Sequence, residues 1–349
     1  MEQKTIAVLF GGRSTEYEIS LQSAYSVIKN LDSKKYHVIM LGITRWGEWL
    51  KYSGDISHIQ DDTWHESNSC IPAVISPDCN MHGVLVMDDG KITKIPIDVA
   101  FPVLHGKNGE DGTIQGLLKM ADIPCVGCGT LSSALCMDKD MAHRLVSLAG
   151  IKTPNCIVLN SPISDDELIK QIVHLKYPLF VKPVNAGSSF GITKVFYQNK
   201  LTEAVSVAFQ HDRKVIIEET IEGFEVGCAI LGNKMLTIGE VDEIELSKGF
   251  FDYTEKYTLK NSKIHMPARI DEETASRIKE TAKIIYRSLG CKGYARVDMF
   301  LTPRNEIVFN EVNTIPGFTA HSRYPNMLKG IGMAIEQIID ELIRLALKS

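Results

Sequence analysis

The sequence Ala295-Arg-Val-Asp-Met-Phe-Leu301 is followed a few residues later by Ile307-Val-Phe-Asn-Glu-Val-Asn-Thr-Ile-Pro-Gly317. Side chains from Arg296 to Leu301 alternate between outward-facing and inward-facing positions, and those from Glu306 to Val312 do the same. Strands with one buried face have this pattern. The residues between them, Thr302-Pro-Arg-Asn305, are typical of a turn. The two segments therefore predict an antiparallel hairpin.

Three oxygen-bearing side chains of this hairpin, Asp298, Glu311 and Asn313, are expected to face the same way, because side chains two residues apart on a strand share a face. Such a set, with no sulfur and no obligatory histidine, suits a hard cation such as Mg²⁺. Arg296 adds a planar donor suited to a phosphoryl oxygen. A surface hairpin with solvated charges is the alternative. Carboxylates within apolar strands are costly when unpaired, which favours the metal site.

Composition narrows the class of protein. A chain of 349 residues is long enough for two or three domains. Its net charge of −5 and the absence of a Lys/Arg block argue against nucleic-acid or membrane partners. No apolar run reaches the roughly 18 residues of a membrane span, and an early strand leaves no room for a signal peptide. Eight scattered cysteines fit a reducing compartment, and the pair Cys125 and Cys128 is interpreted as structural rather than zinc-binding. A cytoplasmic protein is expected.

Apolar periodicity predicts the order of the elements. A strand–helix–strand pattern over Lys4–Phe10, Ser20–Leu31 and Tyr36–Ile43 indicates a parallel α/β sheet. Residues 50–95 are predicted to be irregular and polar, with short elements around Val74–Ile75 and Val84–Met87, and a domain boundary is placed near residue 126. Further helices are predicted at Ser132–Ala149, Thr202–Gln210, Asp271–Leu289 and Gly332–Leu347. Further strands are predicted at Ile97–Leu104, Leu179–Pro183, Ile192–Tyr197, Val215–Glu219, Phe224–Leu231 and Leu236–Glu243. The polar loop at Ser247–Lys263 is long enough to be a functional lid.

A glycine-flanked segment, Gly187-Ser-Ser-Phe-Gly191, lies between two predicted strands, so its backbone amides could approach a phosphate. It lacks the Gly-Lys-Ser/Thr of a Walker loop. Lys182, shortly before it in an apolar strand, needs an anionic partner. Lys139 is a second candidate cation, and a solvated helical lysine is its alternative interpretation.

The segment Val215-Ile-Ile-Glu-Glu-Thr-Ile221, followed by Glu225, is typical of a strand that runs into a hinge. A hinge between two domains suits an adenine, with backbone groups of Ile221 and the carboxylate of Glu225 as candidate adenine and ribose contacts. An ordinary strand end is the alternative.

These residues together carry a resemblance. The sequence resembles ATP-grasp enzymes, and more closely the D-alanine–D-alanine ligase family, over essentially its whole length. The matching motifs are Gly11-Gly-Arg-Ser-Thr-Glu-Tyr-Glu-Ile-Ser20, His105-Gly-Lys-Asn-Gly-Glu-Asp-Gly-Thr-Ile-Gln115, Met137-Asp-Lys139, Lys182-Pro183, Gly187-Ser-Ser-Phe-Gly191, Phe251-Asp-Tyr-Thr-Glu-Lys-Tyr257 and Asn310-Glu-Val-Asn-Thr-Ile-Pro-Gly317.

The resemblance implies an α/β (α+β) fold of three domains. An N-terminal Rossmann-like parallel-sheet domain would span 1–126, and two ATP-clasping α+β domains would span 127–216 and 217–349, the latter with a lid loop at 247–263. It also implies that one D-alanine is phosphorylated on its carboxylate by ATP and that the amine of a second amino acid attacks the acylphosphate. The implied cofactors are ATP as substrate and two Mg²⁺ ions, for which Mn²⁺ could substitute. A homodimer is expected on the same ground.

The resemblance also assigns roles residue by residue. Glu16 and His105 would hold the first D-amino acid, whereas Arg296 and the Gly317 amide would stabilise the tetrahedral oxyanion. Ser188 and Tyr257, hydrogen-bonded with Glu16, would connect the lid to the body. The implied magnesium ligands are Asp298, Glu311 and Asn313, and the implied ATP contacts are Lys139, Lys182, Ser188, Ser189, Glu218, Glu219, Ile221, Glu225, Lys256 and Asn310.

The second-substrate pocket departs from the common pattern of the family. Ser322-Arg323 stands where Ser-Leu is usual, and Phe251 stands where a tyrosine is common. A guanidinium needs an acceptor, which a substrate hydroxyl could supply, with Asp242 as its counter-charge. These features resemble D-alanine–D-serine ligases of the VanG type, found in vancomycin resistance, so D-alanine, D-serine and ATP are the expected small-molecule partners. An ordinary D-alanine–D-alanine ligase of cell-wall synthesis, with Arg323 facing solvent, is the second hypothesis. A non-enzymatic nucleotide-binding module is the third.

Overall fold

The computed structural model describes residues 3–187, 191–246 and 262–348, which form three β-sheets with helices packed on them. The strands are β1 Lys4–Gly11, β2 Tyr36–Ile43, β3 Trp49–Tyr52, β4 Cys70–Ile75, β5 Gly83–Asp88, β6 Lys91–Pro96, β7 Val99–Pro102, β8 Cys156–Leu159, β9 Leu179–Pro183, β10 Thr193–Val195, β11 Val215–Glu219, β12 Phe224–Gly232, β13 Leu236–Leu246, β14 Ser262–His265, β15 Tyr294–Leu301 and β16 Ile307–Asn313. The helices are α1 Tyr17–Lys29, α2 Ser57–Gln60, α3 Thr113–Met120, α4 Thr130–Met137, α5 Lys139–Leu148, α6 Asp165–Ile172, α7 Leu201–Phe209, α8 Glu272–Ser288, α9 Arg323–Gly330 and α10 Ile335–Ala346.

The N-terminal sheet has the strand order β6-β5-β4-β3-β2-β1-β7. The end of this sheet formed by β2, β1 and β7 is parallel, as predicted, because β1 pairs in parallel with both β2 and β7. The prediction that residues 50–95 are largely irregular is wrong, since β3 to β6 extend the sheet in antiparallel order. The short elements predicted around Val74–Ile75 and Val84–Met87 are confirmed, as parts of β4 and β5. β6 is exposed along most of its length and therefore lacks the apolar alternation by which a strand is recognised.

Strand β1, which lies between β2 and β7, is buried on both faces, which explains its continuous apolar run. Ile6, Val8 and Phe10 belong to a cluster that also contains residues of α1 and α10. Ala7 and Leu9 point the other way, into a cluster with residues of α3. The C-terminal helix α10 therefore returns to complete the core of the N-terminal sheet.

The second sheet has the order β10-β9-β11-β8 and is antiparallel throughout. Helices α6 and α7 pack in its core cluster, through side chains such as Leu168 and Ala204. β11 pairs with β9 and β8 along its whole length, so the predicted domain boundary after residue 216 falls inside a strand. The second sheet ends at Glu219 instead.

The third sheet has the order β14-β13-β12-β15-β16. One face packs on α8, through residues such as Ile278 and Ile285, and its core cluster also contains residues of α4 and α5. The predicted helix at Ser132–Ala149 is in fact these two helices. They are separated at Asp138, whose carboxylate accepts a hydrogen bond from the Met141 amide at 3.0 Å and so begins α5.

None of the helices in residues 3–187, 191–246 and 262–348 is long and apolar enough to span a membrane. All eight cysteines carry free thiols.

Candidate active site

Four aligned positions run across the third sheet and form the floor of the candidate site. Asp242 on β13 pairs with Gly227 on β12, which pairs with Asp298 on β15, which pairs in turn with Glu311 on β16. Paired residues of neighbouring strands project from the same face of a sheet. The predicted hairpin of β15 and β16 supplies Asp298 and Glu311, and β12 and β13 add Gly227 and Asp242. We call this row of three acids and a glycine the acid row.

Asp298 is the most densely bonded member of the acid row. Its carboxylate accepts hydrogen bonds from Arg296 Nε at 2.8 Å and Nη2 at 2.6 Å, and from Asn313 Nδ2 at 2.9 Å. Arg323 Nη1 lies 3.3 Å from its Oδ1. The predicted cluster of Arg296, Asp298, Glu311 and Asn313 is thus assembled on one face, with Asp298 fully buried.

The donor set of this cluster fits a divalent cation by chemistry and by charge. Asp298, Glu311 and the Asn313 amide are hard oxygen ligands. Four carboxylates (Asp242, Asp298, Glu225 and Glu311) and two guanidinium groups form this cluster, so acidic side chains predominate in it. Within the described ranges no group of three or more His, Cys, Asp and Glu side chains has metal-binding geometry, so any ion held here would use the amide or substrate oxygens as well.

Arg323 is buried at the start of α9 and spans three carboxylates. Its Nε donates to Asp242 Oδ2 and its Nη2 to Asp242 Oδ1, both at 2.7 Å. Its Nη1 donates to Glu225 Oε1, also at 2.7 Å. Burial alone would lower the pKa of Arg323, but Asp242 and the other acids hold it well above the usual value, so the group is a fixed cation. The structure thus places Arg323 on Asp242, as expected, and not in solvent.

Glu225 was expected to contact the ribose, and the structure shows that its carboxylate also accepts a hydrogen bond from Arg323. It lies two residues before Gly227 on β12 and lines the cavity between the second and third sheets. Because Arg323 holds this carboxylate, the candidate ribose contact and the candidate second-substrate pocket share one guanidinium.

The cavity between the second and third sheets has a volume of about 460 Å³. Lysines line its second-sheet side and acids line its third-sheet side. The lining residues that the sequence predicted are Lys139, Lys182, Glu218, Glu219, Ile221, Glu225, Asn310 and Glu311, and those that it did not predict include Phe180, Lys194, Glu243, Arg269 and Phe300. The aromatic and cationic members missed by sequence reasoning come from different elements and have no local motif.

Lys182 was predicted to need an anionic partner, and the structure supplies one within the protein. Its Nζ is hydrogen-bonded to Glu218 Oε1, and both side chains are buried. Burial raises the pKa of Glu218, but the charge of Lys182 outweighs it and holds the pKa below its ordinary value. Lys139 Nζ donates to the Ala186 carbonyl at 2.8 Å, next to the glycine-flanked loop. Both lysines therefore border the space where phosphates are expected.

The carboxylate of Glu219 is bound to the second sheet. It accepts hydrogen bonds from Asn155 Nδ2 at 2.9 Å and from the Lys176 amide at 2.8 Å. Its contribution to a nucleotide site would therefore come from its backbone.

Glu16 and His105 lie together at the carboxyl end of the N-terminal sheet. A side chain added at Gly187 would bring its Cβ within 2.8 Å of Glu16 Oε2, so the carboxylate lies against the start of the glycine-flanked loop. His105 Nε2 lies 3.3 Å from Ser23 Oγ. Burial lowers the pKa of His105 to about 4, which makes the imidazole neutral near pH 7.

Glu110 is a buried acid that received no role from the sequence, although it lies within the His105 motif. It accepts hydrogen bonds from the Gly106 amide at 2.9 Å and from the Ile315 amide at 3.0 Å. It thereby connects the N-terminal sheet to the loop that carries Gly317. Burial and the nearby charge of Glu16 raise its pKa to about 8.

Gly317 lies where that loop meets α9. A Cβ added at Gly317 would be 2.9 Å from Ser322 Oγ, and Ser322 Oγ accepts a hydrogen bond from the Thr319 amide at 2.9 Å. Gly317 and Ser322 are therefore neighbours, as their predicted roles require. Several predicted residues lie outside the described ranges, namely Ser188, Ser189, Phe251, Lys256 and Tyr257, and of the predicted lid loop only Ser262 and Lys263 are described, as part of β14.

The cavity lies between two α+β sheets, with Lys182 and Lys194 on one wall and acids that include Glu311 of the acid row on the other, as in ATP-grasp enzymes. The family models for the D-ala D-ala ligase N-terminus and C-terminus match residues 5–128 and 145–344. The chain belongs to the D-alanine–D-alanine ligase family, whose members are ATP-dependent ligases that use a divalent metal.

Known relatives match the chain over nearly all its length. It is 46% identical to a D-alanine–D-alanine ligase of Thermoanaerobacter sp. (strain X514), over 100% of this chain and 98% of that protein. It is 45% identical to the vancomycin/teicoplanin A-type resistance protein VanA of Enterococcus faecium, over 100% of both. The crystal structure of the VanG D-Ala:D-Ser ligase from Enterococcus faecalis is 58% identical, with a TM-score of 0.92, and covers 99% of this chain and 100% of that one.

Proposed function

We propose that this enzyme joins D-alanine to D-serine, through a D-alanyl phosphate, to make a peptidoglycan precursor of the kind used in vancomycin resistance. The observation that carries the proposal is the buried, charged Arg323 beside Ser322. An apolar residue at this position would offer nothing to a hydroxyl, whereas a guanidinium offers donors.

The bonding of Arg323 is compatible with a substrate hydroxyl. A guanidinium has five N–H groups. Among the described residues three of them donate hydrogen bonds, to Asp242 and Glu225, and Nη1 also lies near Asp298. Capacity therefore remains on Nη2, for which only the bond to Asp242 is described. The carboxylates fix the guanidinium in place, so the site is organised before the substrate binds.

The reaction would proceed in two transfers. A carboxylate oxygen of D-alanine attacks the γ-phosphorus of ATP, the bond to ADP breaks, and an acylphosphate forms. The amine of D-serine then attacks the acyl carbon, an amide bond forms, and inorganic phosphate leaves with the bonding electrons while the amine loses a proton.

The chain's own residues would bind and orient these groups. Glu16 and the neutral His105 would hold D-alanine, and Lys139 and Lys182 would contact the phosphates. Arg296 and the Gly317 amide would face the oxyanion of the second transfer, where fixed donors stabilise developing charge.

Asp298, Glu311 and Asn313 would hold Mg²⁺, which when bound neutralises charge on the phosphoryl oxygens.

A second candidate function is D-alanine–D-alanine ligation. It is supported by the sequence identity to the Thermoanaerobacter enzyme, which carries that name. The two functions differ only in the second substrate, so the same fold and phosphate chemistry serve both. Homodimer formation remains an expectation from the family.

The test is the product formed from ATP, Mg²⁺ and equal concentrations of D-alanine and D-serine near neutral pH. D-alanyl-D-serine should dominate for the wild-type enzyme. Arg323→Leu should lower kcat/KM for D-serine at least about tenfold more than for D-alanine, because a buried site that binds a hydroxyl discriminates strongly. Arg344→Leu, which removes a half-exposed arginine of α10, should leave the product ratio unchanged. Equal losses for the two amino acids would refute the role of Arg323.

A further inference from the structure

Gly227 occupies the one position of the acid row that carries no side chain. It lies on β12, directly between Asp242 on β13 and Asp298 on β15. Neighbouring strands are about 4.8 Å apart, so the two flanking acids are separated by roughly twice that distance. Arg323 contacts both of them, and its guanidinium therefore passes over Gly227.

The space above Gly227 is filled by the guanidinium itself. A Cβ added at Gly227 would overlap Arg323 Nη2 and lie 2.7 Å from Asp242 Oδ1 and 2.8 Å from Met327 Cε. The first two atoms are the donor and acceptor of one hydrogen bond. A side chain at this position would therefore enter between the partners of the Arg323–Asp242 pair.

The backbone does not explain the glycine. Gly227 is not among the glycines with positive φ, so an L-residue could adopt its conformation. It lies inside a nine-residue strand, where glycine is unfavourable relative to residues with side chains. Glycine is needed at this position because the methyl group of an alanine would occupy the space of the Arg323 guanidinium.

We propose that Gly227 is a positioning residue that determines second-substrate selectivity together with Arg323. Its missing side chain lets the guanidinium lie flat on the sheet, bonded to Asp242, with terminal nitrogens directed at the second amino acid. This inference rests on the proposed function. It adds that an arginine after Ser322 is insufficient for D-serine selectivity unless the facing position of β12 is glycine.

The displacement expected from a side chain follows from the burial of the pair. Arg323 is 6% exposed and Asp242 is fully buried, so neither can turn to solvent. Glu225 and Asp298 hold Arg323 from the other side, at Nη1. A methyl group at Gly227 would therefore break the bond from Nη2 to Asp242 first, and Nη2 would move toward the substrate pocket.

The experiment compares four proteins: wild type, Gly227→Ala, Arg323→Leu and the double variant. The ratio of D-alanyl-D-serine to D-alanyl-D-alanine is measured with equal concentrations of both amino acids, together with the KM for ATP. Gly227→Ala should lower the ratio by about tenfold or more, as expected for one misplaced charge-assisted hydrogen bond. In the double variant, Gly227→Ala should change the ratio by less than about twofold relative to Arg323→Leu alone, because the group it displaces is gone.

Gly116→Ala is the matched control, because a Cβ there meets only Thr130 Cγ2, at 3.9 Å, and the ratio should not change. An unchanged ratio in Gly227→Ala, or a full further loss in the double variant, would overturn the proposal while the proposed function stands. If Arg323→Leu itself leaves the ratio unchanged, Arg323 does not select D-serine and this inference fails, whereas the proposed function fails only if the wild-type enzyme makes mainly D-alanyl-D-alanine.

Folding of the variants is also decisive. If Gly227→Ala is unfolded but the double variant is folded, the added methyl clashes with the guanidinium, which supports the proposal. If both are unfolded, the space above Gly227 serves the fold and not Arg323, which overturns it.

Discussion

Removing the positive charge of Lys182 should destabilise the protein in a way that depends on pH. In Lys182→Met the carboxylate of Glu218 remains in the cavity wall, where its exposed fraction is 4% and its Oε2 has no hydrogen-bond partner among the described residues. Breaking a buried ion pair by removal of one partner costs about 3–5 kcal/mol. Alternatively, the carboxylate of Glu218 can be protonated, which removes the buried charge.

Protonation sets a limit to that cost. A glutamate with an ordinary pKa near 4.3 is protonated at pH 7 at a cost of about 3.7 kcal/mol, at about 1.4 kcal/mol for each pH unit. We therefore expect Lys182→Met to lose about 3–4 kcal/mol of unfolding free energy at pH 7, and about 1.4 kcal/mol less at each lower pH unit. The direction of this pH dependence follows from the ion pair in the wild-type protein. Its Glu218 pKa is lowered, so the ion pair stabilises the protein above the ordinary pKa and is lost as the pH falls.

Urea unfolding at about pH 7, 6 and 5 measures this slope, and hydrogen exchange of the β9 and β11 amides localises it. Lys182→Met/Glu218→Gln should recover most of the loss, since no buried charge remains. Lys152→Met breaks an exposed pair with Glu306 and should show little loss and no slope. A loss in Lys182→Met that stays constant over the pH range would refute the reasoning.

Two further outcomes are expected. Because the pKa of Glu110 is raised to about 8, this group stabilises the fold fully at a pH below its ordinary pKa and loses that contribution as the pH rises through about 8. The thermal unfolding temperature should therefore fall between about pH 5 and 9, and Glu110→Gln should reduce that fall. An equal fall in both proteins would contradict this. Asp138→Ala removes the cap of α5 and should cost about 1 kcal/mol in urea unfolding, while the KM for ATP rises because Lys139 is the first residue of that helix. Ser164→Ala removes the corresponding cap of α6, which does not line the cavity, and should leave that KM unchanged.

Local patterns in the sequence predicted the elements that are buried on both faces. The strands Tyr36–Ile43, Leu179–Pro183 and Val215–Glu219 agree with the structure residue for residue. The strands β3 and β6 escaped prediction, and β4 and β5 were predicted only as short elements. The edge strand β6 is exposed along most of its length and has little apolar alternation. The break at Asp138 also escaped, since apolar spacing continues through α4 and α5 and hides a cap.

The candidate site was predictable only where its residues are close in the chain. Asp298, Glu311 and Asn313 lie in one hairpin, so pattern and register sufficed to bring them together. The contact of Glu225 with Arg323 joins residues 98 positions apart, and no local pattern contains it. The space above Gly227 depends on three strands and a helix at once, and only the assembled sheet reveals it.

The return of α10 to the N-terminal sheet has a consequence for synthesis on the ribosome. Ile338, Ile339 and Leu342 fill the same core as Val8 and Leu21, yet they are translated more than 300 residues after Val8. Until they emerge, the apolar face of the first sheet that α10 shares with α1 is only partly covered. The domain that is made first is therefore completed last, and a nascent chain that lacks α10 exposes a surface suited to capture by chaperones.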